Sequence, residues 1–245
     1  QHVLDTWDDA LSRETTPRDV AARIRQLEFI DATDVDTGQP VRLQRRHFID
    51  RGGHATVYEV IAVDARGRPL RGAAPFALKV FRAEPHEEIR YTRAAHARNP
   101  DGFTAVLGAY QYTAPNGVTH MAMGMNVLKG DGLDHLCLRE VMSALRDGAS
   151  SARHTYPSIP HKLRLFAQLF DDLHTLHQPD GSGQRIVHRD ITPRNVMFDG
   201  TRLRLFDFGL AAAPGDRIEE LAGTPLHVPY ELTITPATNW DHRAD

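Results

Sequence analysis

The chain has 245 residues, of which 41% are hydrophobic and 25% are charged, a composition typical of a soluble globular protein with one large domain or two lobes. Its 29 basic and 32 acidic residues give a net charge of -3, which argues against binding to nucleic acid or to a membrane surface. The single cysteine, Cys137, excludes an internal disulfide framework, and the lack of a long apolar run or a signal-like N-terminus predicts a cytoplasmic protein.

The first 44 residues are predicted to form a separate helical extension. Residues 4–11 have helical spacing, and Thr16-Pro17 predicts a second helix with Thr16 as its N-cap and Pro17 at its first position. From about Phe48 the pattern changes to strands, and after Met125 helices dominate. We therefore predict an α+β protein in three parts: residues 1–44, 45–125 and 126–245.

The strand-rich part contains a glycine pair in a turn and a lysine on a strand. The segment DRGGHATVY contains the pair Gly52-Gly53, which is typical of a turn between two strands. The strand FALKVF places Lys79 on the same face as Ala77. Only three of the 29 basic residues are lysines, which indicates that a compact point charge is needed at this position; a lysine at a strand edge that merely reaches solvent is the alternative.

Two helices follow. The segment EPHEE opens the first with proline in its first turn, where acidic residues also complement the helix dipole. The second is predicted from Leu163 to His177, with a core-facing apolar stripe made of Leu163, Phe166, Ala167, Phe170, Leu173 and Leu176. His174 and His177 lie three residues apart on this helix, but a metal site there would need further ligands.

The stretch IVHRDITPRNVMFDGTRLRLFDFGLA, residues 186–211, predicts a tight β-hairpin. Strands at 196–198 and 201–206 flank the two-residue turn Asp199-Gly200. Pairing about this turn places Asn195 near Arg204 and brings Asp207 beside the loop that carries Asp190. Three oxygen-bearing side chains then converge, which favours a hard cation such as Mg²⁺; for any one of them alone, a solvated surface residue is the alternative.

His188-Arg189-Asp190, Asn195 after four further residues, and then Asp207-Phe208-Gly209 together resemble the catalytic signature of protein kinases of the eukaryotic-like Ser/Thr type. This resemblance implies a two-lobed kinase fold with an antiparallel-sheet N-lobe at 45–125 and a mainly helical C-lobe at 126–245, and it implies ATP and Mg²⁺ as cofactors. The resemblance ends near Asp245, so we expect a truncated C-lobe and a partner or further chain that covers it.

The resemblance also implies roles for single residues. Asp190 would orient the substrate hydroxyl and accept its proton, while Asn195 and Asp207 would hold the metal. Lys79 would bind the phosphates and pair with Glu88, for which Glu87 and Glu84 are the alternatives. The implied nucleotide-binding positions are Gly52, Gly53, Val57, Ala77, Lys79, Met123, Met125, Asn195 and Asp207.

Two departures from the family pattern affect these roles. The glycine loop of kinases reads G-x-G-x-x-G-x-V, and only its middle glycine is present here because Asp50 and Ala55 stand at the outer positions. Thr192 stands where Ser/Thr kinases usually carry a lysine. Arg194 takes the position of an arginine in many tyrosine kinases, and we expect it to neutralise the transferring phosphate.

The segment GTPLHVPYE, residues 223–231, resembles the substrate-side motif of Ser/Thr kinases. Thr224 therefore implies a Ser/Thr protein substrate. Glu220 occupies the place of an activating phosphorylated residue, and we expect it to pair with Arg189 as a permanent charge, two solvated loop acids being the alternative. The leading interpretation is an ATP- and Mg-dependent protein Ser/Thr kinase. The alternatives are a small-molecule phosphotransferase of the aminoglycoside-kinase type and a pseudokinase that acts as a binding scaffold.

Overall fold

The computed structural model describes residues 28–52, 54–82, 85–114, 117–137, 159–214 and 245. These residues divide into two compact units. The first runs to Pro85 and includes Val106–Val127; the second comprises His86–Ala105 and the described residues from Leu128 onward. The sequence predicts a change of pattern near residue 125, close to the last division, but it does not predict that the helix after Pro85 belongs to the second unit.

The first unit is a closed antiparallel barrel with the strand order β1-β2-β3-β4-β6-β5. Its strands are β1 (Phe29–Asp34), β2 (Pro40–Arg51), β3 (Ala55–Val63), β4 (Phe76–Phe81), β5 (Val106–Thr113) and β6 (Thr119–Met125). They form because apolar and β-branched residues are frequent in them, as in the β3 sequence ATVYEVIAV, in which five of the nine residues are β-branched.

The barrel core consists of the inward-facing residue of each alternating pair. Leu43, Val60, Leu78, Val80, Phe76, Tyr110, Ala32 and Ala122 are buried together there. Phe76 stacks on Tyr110 with ring centroids 5.9 Å apart. Each strand therefore presents its other face outward. Five of the predicted nucleotide-binding positions lie on that face: Val57, Ala77, Lys79, Met123 and Met125.

The prediction of a helical extension is wrong for residues 29–34, which form strand β1, and for residues 40–44, which belong to β2. Strand β1 pairs with β2 over Phe29–Thr33 and with β5 through Thr33 and Asp34, which closes the barrel where the sequence predicts an antiparallel sheet preceded by helices. Residues 29–34 and 40–44 are thus strands, because their side chains alternate across the barrel wall. Residues 1–27, which carry the two predicted helices, lie outside the described residues.

The second unit contains α1 (His86–Arg98), β7 (Asp131–Gly132), α2 (Ile159–His177), a 3₁₀ helix at Pro193–Asn195, β8 (Val196–Phe198) and β9 (Leu203–Leu205). Its core joins α1, α2 and the β8–β9 hairpin through buried apolar side chains, among them Tyr91, Phe103, Leu169, Leu176, Leu205 and Phe208. The class is α+β, as predicted. None of the described helices is long and apolar enough to span a membrane.

The buried face of α2 differs from the predicted stripe. Leu165, Leu169, Leu173 and Leu176 are buried together with Asp172, and of the predicted stripe only Leu173 and Leu176 are among them. Leu163 and Phe170 are 65% and 64% exposed. The prediction was wrong because the helix has apolar residues on two sides, and spacing alone does not show which side packs on the hairpin.

The β8–β9 hairpin also differs in register from the prediction. Phe198 pairs with Leu203 and Met197 with Arg204, so four residues, 199–202, form the connection instead of two. The Asp199 side chain accepts hydrogen bonds from the backbone N–H groups of Thr201 and Arg202, which makes the wider turn. Arg204 therefore lies opposite Met197 and not opposite Asn195.

Candidate catalytic site

The chain enters the candidate site along a buried extended segment. Ile186 and Val187 are buried, and Val187 exchanges two backbone hydrogen bonds with Ala212, at 2.9 and 3.0 Å. The N–H of Ile186 donates to the carbonyl of Leu176 in the last turn of α2. These bonds fix the segment that leads to Asp190 between the end of α2 and the residues after Gly209.

His188 is fully buried and serves as a structural hydrogen-bonding group. Its Nε2 lies 3.1 Å from the carbonyl oxygen of Phe206, and its Nδ1 lies 3.3 Å from the backbone N–H of Asp190. Since a carbonyl only accepts and an N–H only donates, Nε2 carries the proton and Nδ1 accepts. Burial lowers the pKa of His188, which keeps this ring neutral.

Two residues of the site adopt a left-handed backbone conformation. Arg189 has φ 70° and Asp207 has φ 67°. Such a conformation costs roughly 1–3 kcal/mol in a residue other than glycine and persists only where the surroundings enforce it. At Arg189 the side chain contributes to this, since Nη1 donates to the carbonyl oxygen of Leu210 at 3.1 Å.

Asp190 and Asn195 are in direct contact. Asn195 Nδ2 donates to Asp190 Oδ2 and to the backbone carbonyl of Asp190, both at 2.8 Å. The 3₁₀ helix at Pro193–Asn195 brings the two residues together, since the N–H of Asn195 donates to the carbonyl of Thr192. The N–H of Phe206 donates to the carbonyl of Asn195 and so ties this turn to the strand before Asp207.

The segment Asp207-Phe208-Gly209 is held by its central residue. Phe208 is 1% exposed and makes edge-on contacts with the rings of Phe103 and His188, at centroid distances of 5.7 and 4.8 Å. Asp207 is exposed. The buried phenylalanine thus fixes the backbone while the neighbouring carboxylate points away from the core.

Glu88 lies beside this segment. A Cβ on Gly209 would be 3.2 Å from Glu88 Oε2 and 3.2 Å from Asp207 Oδ1, so the missing side chain leaves room for both carboxylates. Glu88 is buried, whereas Glu87 is exposed and pairs with Arg90 on the same helix. Glu84 lies outside the described residues. Of the candidates that the structure describes, Glu88 is the one next to the predicted metal-binding segment.

The side chains present fit a magnesium ion with nucleotide phosphates. Hard cations prefer oxygen ligands, and Mg²⁺ is usually held by one or two carboxylates together with substrate phosphates. Asn195 uses its amide nitrogen for Asp190, which leaves the amide oxygen for a cation, and the carboxylate of Asp207 is exposed. Among the described residues, no cluster of three or more His, Cys, Asp or Glu side chains is arranged to hold a metal ion.

The predicted nucleotide-binding residues of the first unit are neighbours across three strands. Lys79 on β4 lies opposite Val57 on β3 and Met123 on β6, and Ala77 lies opposite Met125. These residues alternate with the barrel core and therefore share its outer face. Lys79 Nζ is 5.5 Å from the centroid of the Phe81 ring.

The remaining predicted residues divide into exposed and undescribed ones. The N–H of Gly52 donates to the carbonyl of Ala55 at 2.9 Å, which closes the turn between β2 and β3. Arg194 is exposed on the 3₁₀ helix. Gly53, Glu220 and Thr224 lie outside the described residues.

Asp245 belongs to the site although no sequence motif indicates it. Its carboxylate accepts hydrogen bonds from the backbone N–H groups of His188 and Arg189, both at 2.7 Å, and from His177 Nε2 at 2.9 Å. These partners are 57, 56 and 68 positions away in the sequence. Contacts over such distances leave no local pattern, so sequence reasoning had no signal from which to infer this role.

Parts of the sequence are similar to known phosphotransferases. Residues 132–244 match the APH family model, described as a phosphotransferase enzyme family. A 75-residue segment is 37% identical to CBL-interacting protein kinase 4 of Oryza sativa subsp. japonica and covers 28% of this chain and 15% of that protein.

Two further relatives are also kinases. Fifty residues are 42% identical to the phosphorylase b kinase gamma catalytic chain, liver/testis isoform, of Homo sapiens, covering 19% of this chain and 12% of the relative. Seventy-three residues are 34% identical to sperm motility kinase Z of Mus musculus, covering 29% of this chain and 14% of the relative. The chain thus spans about one seventh or less of the length of these relatives. Over these segments the chain is similar to protein kinases and to a phosphotransferase enzyme family, which supports a kinase-like phosphotransferase.

Proposed function

We propose that the chain transfers a phosphoryl group from ATP, with Mg²⁺, to Ser/Thr hydroxyls of protein substrates. The observation that carries the proposal is the hydrogen bond from Asn195 Nδ2 to Asp190 Oδ2. It fixes the carboxylate that the reaction needs as a base and joins it to a proposed metal ligand. Phosphoryl transfer depends mainly on positioning and on neutralising charge, so a pair held in this way suits it.

In this proposal each residue has one role. Asp190 orients the substrate hydroxyl and accepts its proton, and exposed Arg194 neutralises the transferring phosphate. Asn195 and Asp207 hold the metal, which when bound neutralises charge on the phosphates. Lys79 contributes a phosphate-binding charge and pairs with Glu88, and the other nucleotide-binding positions are those named from the sequence.

The proposal also covers the organisation, the location and the regulation of the protein. These are the assignment of residues 45–125 and 126–245 as kinase lobes, a cytoplasmic location, and activation through Glu220 and Arg189. A partner protein that binds the second unit is proposed as well, and the exposed apolar side chains of Leu163 and Phe170 on α2 support it.

A small-molecule phosphotransferase is the second candidate. The match of residues 132–244 to a phosphotransferase enzyme family favours it. The protein kinase matches and Thr224 favour a protein substrate instead. A pseudokinase is the third candidate, since Asp50 and Ala55 depart from the glycine loop, but the presence of Lys79, Asp190, Asn195 and Asp207 together weighs against it.

The test is a transfer assay with ATP labelled at the γ-phosphate and MgCl₂. The chain is incubated separately with generic protein acceptors (casein, histone and myelin basic protein) and with an aminoglycoside panel, with Asp190→Asn as the matched control. We expect label on Ser and Thr of protein, and roughly a hundredfold less with Asp190→Asn because the group that positions the nucleophile is lost.

Each of the other outcomes would support a different interpretation. Label only on the aminoglycosides would support the small-molecule candidate. Nucleotide binding without transfer to any acceptor would support the pseudokinase. Equal transfer by the wild type and by Asp190→Asn would contradict the assignment of Asp190.

A further inference from the structure

Arg98 connects the last turn of α1 to the end of α2 and to the turn that follows it. Its Nη1 donates to the carbonyl oxygens of Leu176 at 2.6 Å and Gln178 at 3.1 Å. Its Nη2 donates to the carbonyl oxygen of Gln184 at 2.7 Å and to Asp180 Oδ2 at 3.0 Å. Four hydrogen bonds from one side chain that is 11% exposed thus hold a segment about 80 positions away.

The turn that Arg98 binds has its own internal structure. Asp180 Oδ1 accepts hydrogen bonds from the backbone N–H groups of Ser182 and Gln184 and from the Ser182 hydroxyl. Hydrogen bonds from the Ser182 side chain and backbone lower the pKa of Asp180, so its carboxylate is charged when it meets Arg98. Gly183, with φ 82°, supplies the left-handed residue of the turn.

This turn leads directly into the candidate catalytic segment. The carbonyl oxygen of Leu176 accepts hydrogen bonds from both Arg98 and the N–H of Ile186. Asp190 lies four residues after Ile186. The carbonyls at the end of α2 would otherwise lack helical partners, and a cation there also complements the helix dipole. The guanidinium of Arg98 therefore fixes the end of α2 and the start of the catalytic segment as one unit.

Helix α1 contacts the catalytic segments at both of its ends. Glu88 in its first turn lies beside Gly209, and Arg98 in its last turn binds the turn at residues 178–184. The two residues are ten positions apart on the helix, a span of about 15 Å. A shift of α1 therefore acts both on the segment that carries Asp207 and on the segment that leads to Asp190.

We propose that Arg98 is a positioning residue: through the turn at residues 178–184 it sets the place of Asp190 relative to helix α1. The proposal rests on the phosphoryl transfer proposed above. Arginine suits this role because its planar fork presents several donors in fixed directions, whereas lysine has one mobile ammonium group.

The experiment compares Arg98→Met and Arg98→Lys with Arg90→Met. Arg90 is on the same helix and forms an exposed ion pair with Glu87, so its replacement controls for the loss of an arginine from α1. Each variant is measured for kcat, for KM of ATP, and for the hydrogen exchange of the Gln184, Ile186 and His188 amides, at a temperature where circular dichroism shows it folded.

We expect Arg98→Met to lower kcat by about tenfold to a hundredfold, because small misplacements of catalytic groups have effects of this size, with KM for ATP changed by less than about twofold. The three amides should exchange faster in Arg98→Met, while Arg90→Met should resemble the wild type in every measurement. Arg98→Lys should lie between Arg98→Met and the wild type. It also serves as the deciding variant if Arg98→Met does not fold.

Wild-type kcat in the folded Arg98 variants would overturn the proposal, and so would unchanged amide exchange. A purely structural role would lower the melting temperature and leave kcat of the folded protein unchanged. If the wild type itself transfers no phosphate, the proposed function fails, and the amide exchange then decides alone whether Arg98 positions the segment.

Discussion

The carboxylate of Asp245 accepts a hydrogen bond from the backbone N–H of His188 at 2.7 Å. It also accepts from the N–H of Arg189, whose φ of 70° is unfavourable for a residue with a side chain. Because the Asp245 side chain is fully buried, water does not replace these bonds when it is removed. Asp245 therefore stabilises the backbone that leads to Asp190.

Replacing Asp245 by alanine should lower the free energy of unfolding by about 2–4 kcal/mol, since hydrogen bonds to a charged group contribute about 1.5–3 kcal/mol each and two buried backbone donors would be left unpaired. Urea denaturation followed by circular dichroism measures this. Asp245→Asn should have a smaller effect because its amide oxygen still accepts. The exposed Asp101→Ala serves as control, and a loss no larger than that of the control would contradict the prediction.

The buried neutral His188 predicts a pH dependence of stability. Burial lowers its pKa from the ordinary 6.5. Below about pH 6.5 the unfolded chain therefore binds a proton at this residue while the ring in the folded protein stays neutral. The free energy of unfolding should therefore fall as the pH drops below about 6.5, by at most about 1.4 kcal/mol per pH unit from this residue, and the contribution should be fully present above that pH.

Urea titrations between pH 5 and 7.5 on the wild type and on His188→Gln test this point. The variant lacks the ionisable ring and can still donate to the carbonyl of Phe206, so its slope below about pH 6.5 should be smaller. NMR of the ring nitrogens should show the proton on Nε2 of the wild type. Identical slopes, or a proton on Nδ1, would show that the assigned tautomer and its burial are wrong.

The sequence predicts the pieces of the site whose partners are close in the chain. Asp190 and Asn195 are five residues apart, and a turn with Pro193 joins them, so their contact follows from local geometry. The strand with Lys79 is likewise recognisable as a short apolar run, FALKVF, in which Lys79 is the one charged residue.

Contacts between distant parts of the chain could not be predicted in the same way. Strand β1 closes the barrel by pairing with β5, about 78 positions away, and Arg98 binds residues about as distant. Leu163 and Leu165 are equally apolar, and only the packing of α2 on the hairpin decides that Leu165 is buried. In each case the deciding term is a tertiary contact that has no local signature.

Gly130 should not tolerate a side chain. A Cβ at this position would be 2.0 Å from the carbonyl oxygen of Phe198, a backbone atom of β8 that cannot move cheaply because β8 pairs on both sides. Gly130→Ala should therefore detach the neighbouring β7 and lower the free energy of unfolding by about 2 kcal/mol or more.

The matched control for this prediction is Gly181→Ala, since a Cβ there meets no atom within 4 Å. It should change the free energy of unfolding by less than about 0.5 kcal/mol. Thermal or urea denaturation of the two variants beside the wild type measures the difference. Equal stability of both variants would mean that the loop at Gly130 moves away from β8 without cost.

The last prediction concerns the ion pair that attaches the β8–β9 hairpin to α2. Arg202 Nη2 lies 2.9 and 2.8 Å from the two carboxylate oxygens of Asp172, and their side chains are only 19% and 5% exposed. Asn99 Nδ2 also donates to Asp172. Removing the carboxylate leaves a mostly buried guanidinium without its counter-charge, which is more costly than losing the pair as a whole.

Asp172→Leu should therefore lower the free energy of unfolding by about 3–5 kcal/mol, whereas the double variant Asp172→Leu with Arg202→Met should recover a large part of that loss. The recovery should be incomplete because Asn99 still lacks its acceptor in the double variant. Urea denaturation of the two single variants and the double variant gives the coupling free energy as a double-mutant cycle. Additive losses, with no recovery in the double variant, would show that the pair contributes no coupling and that apolar packing alone holds the hairpin on α2.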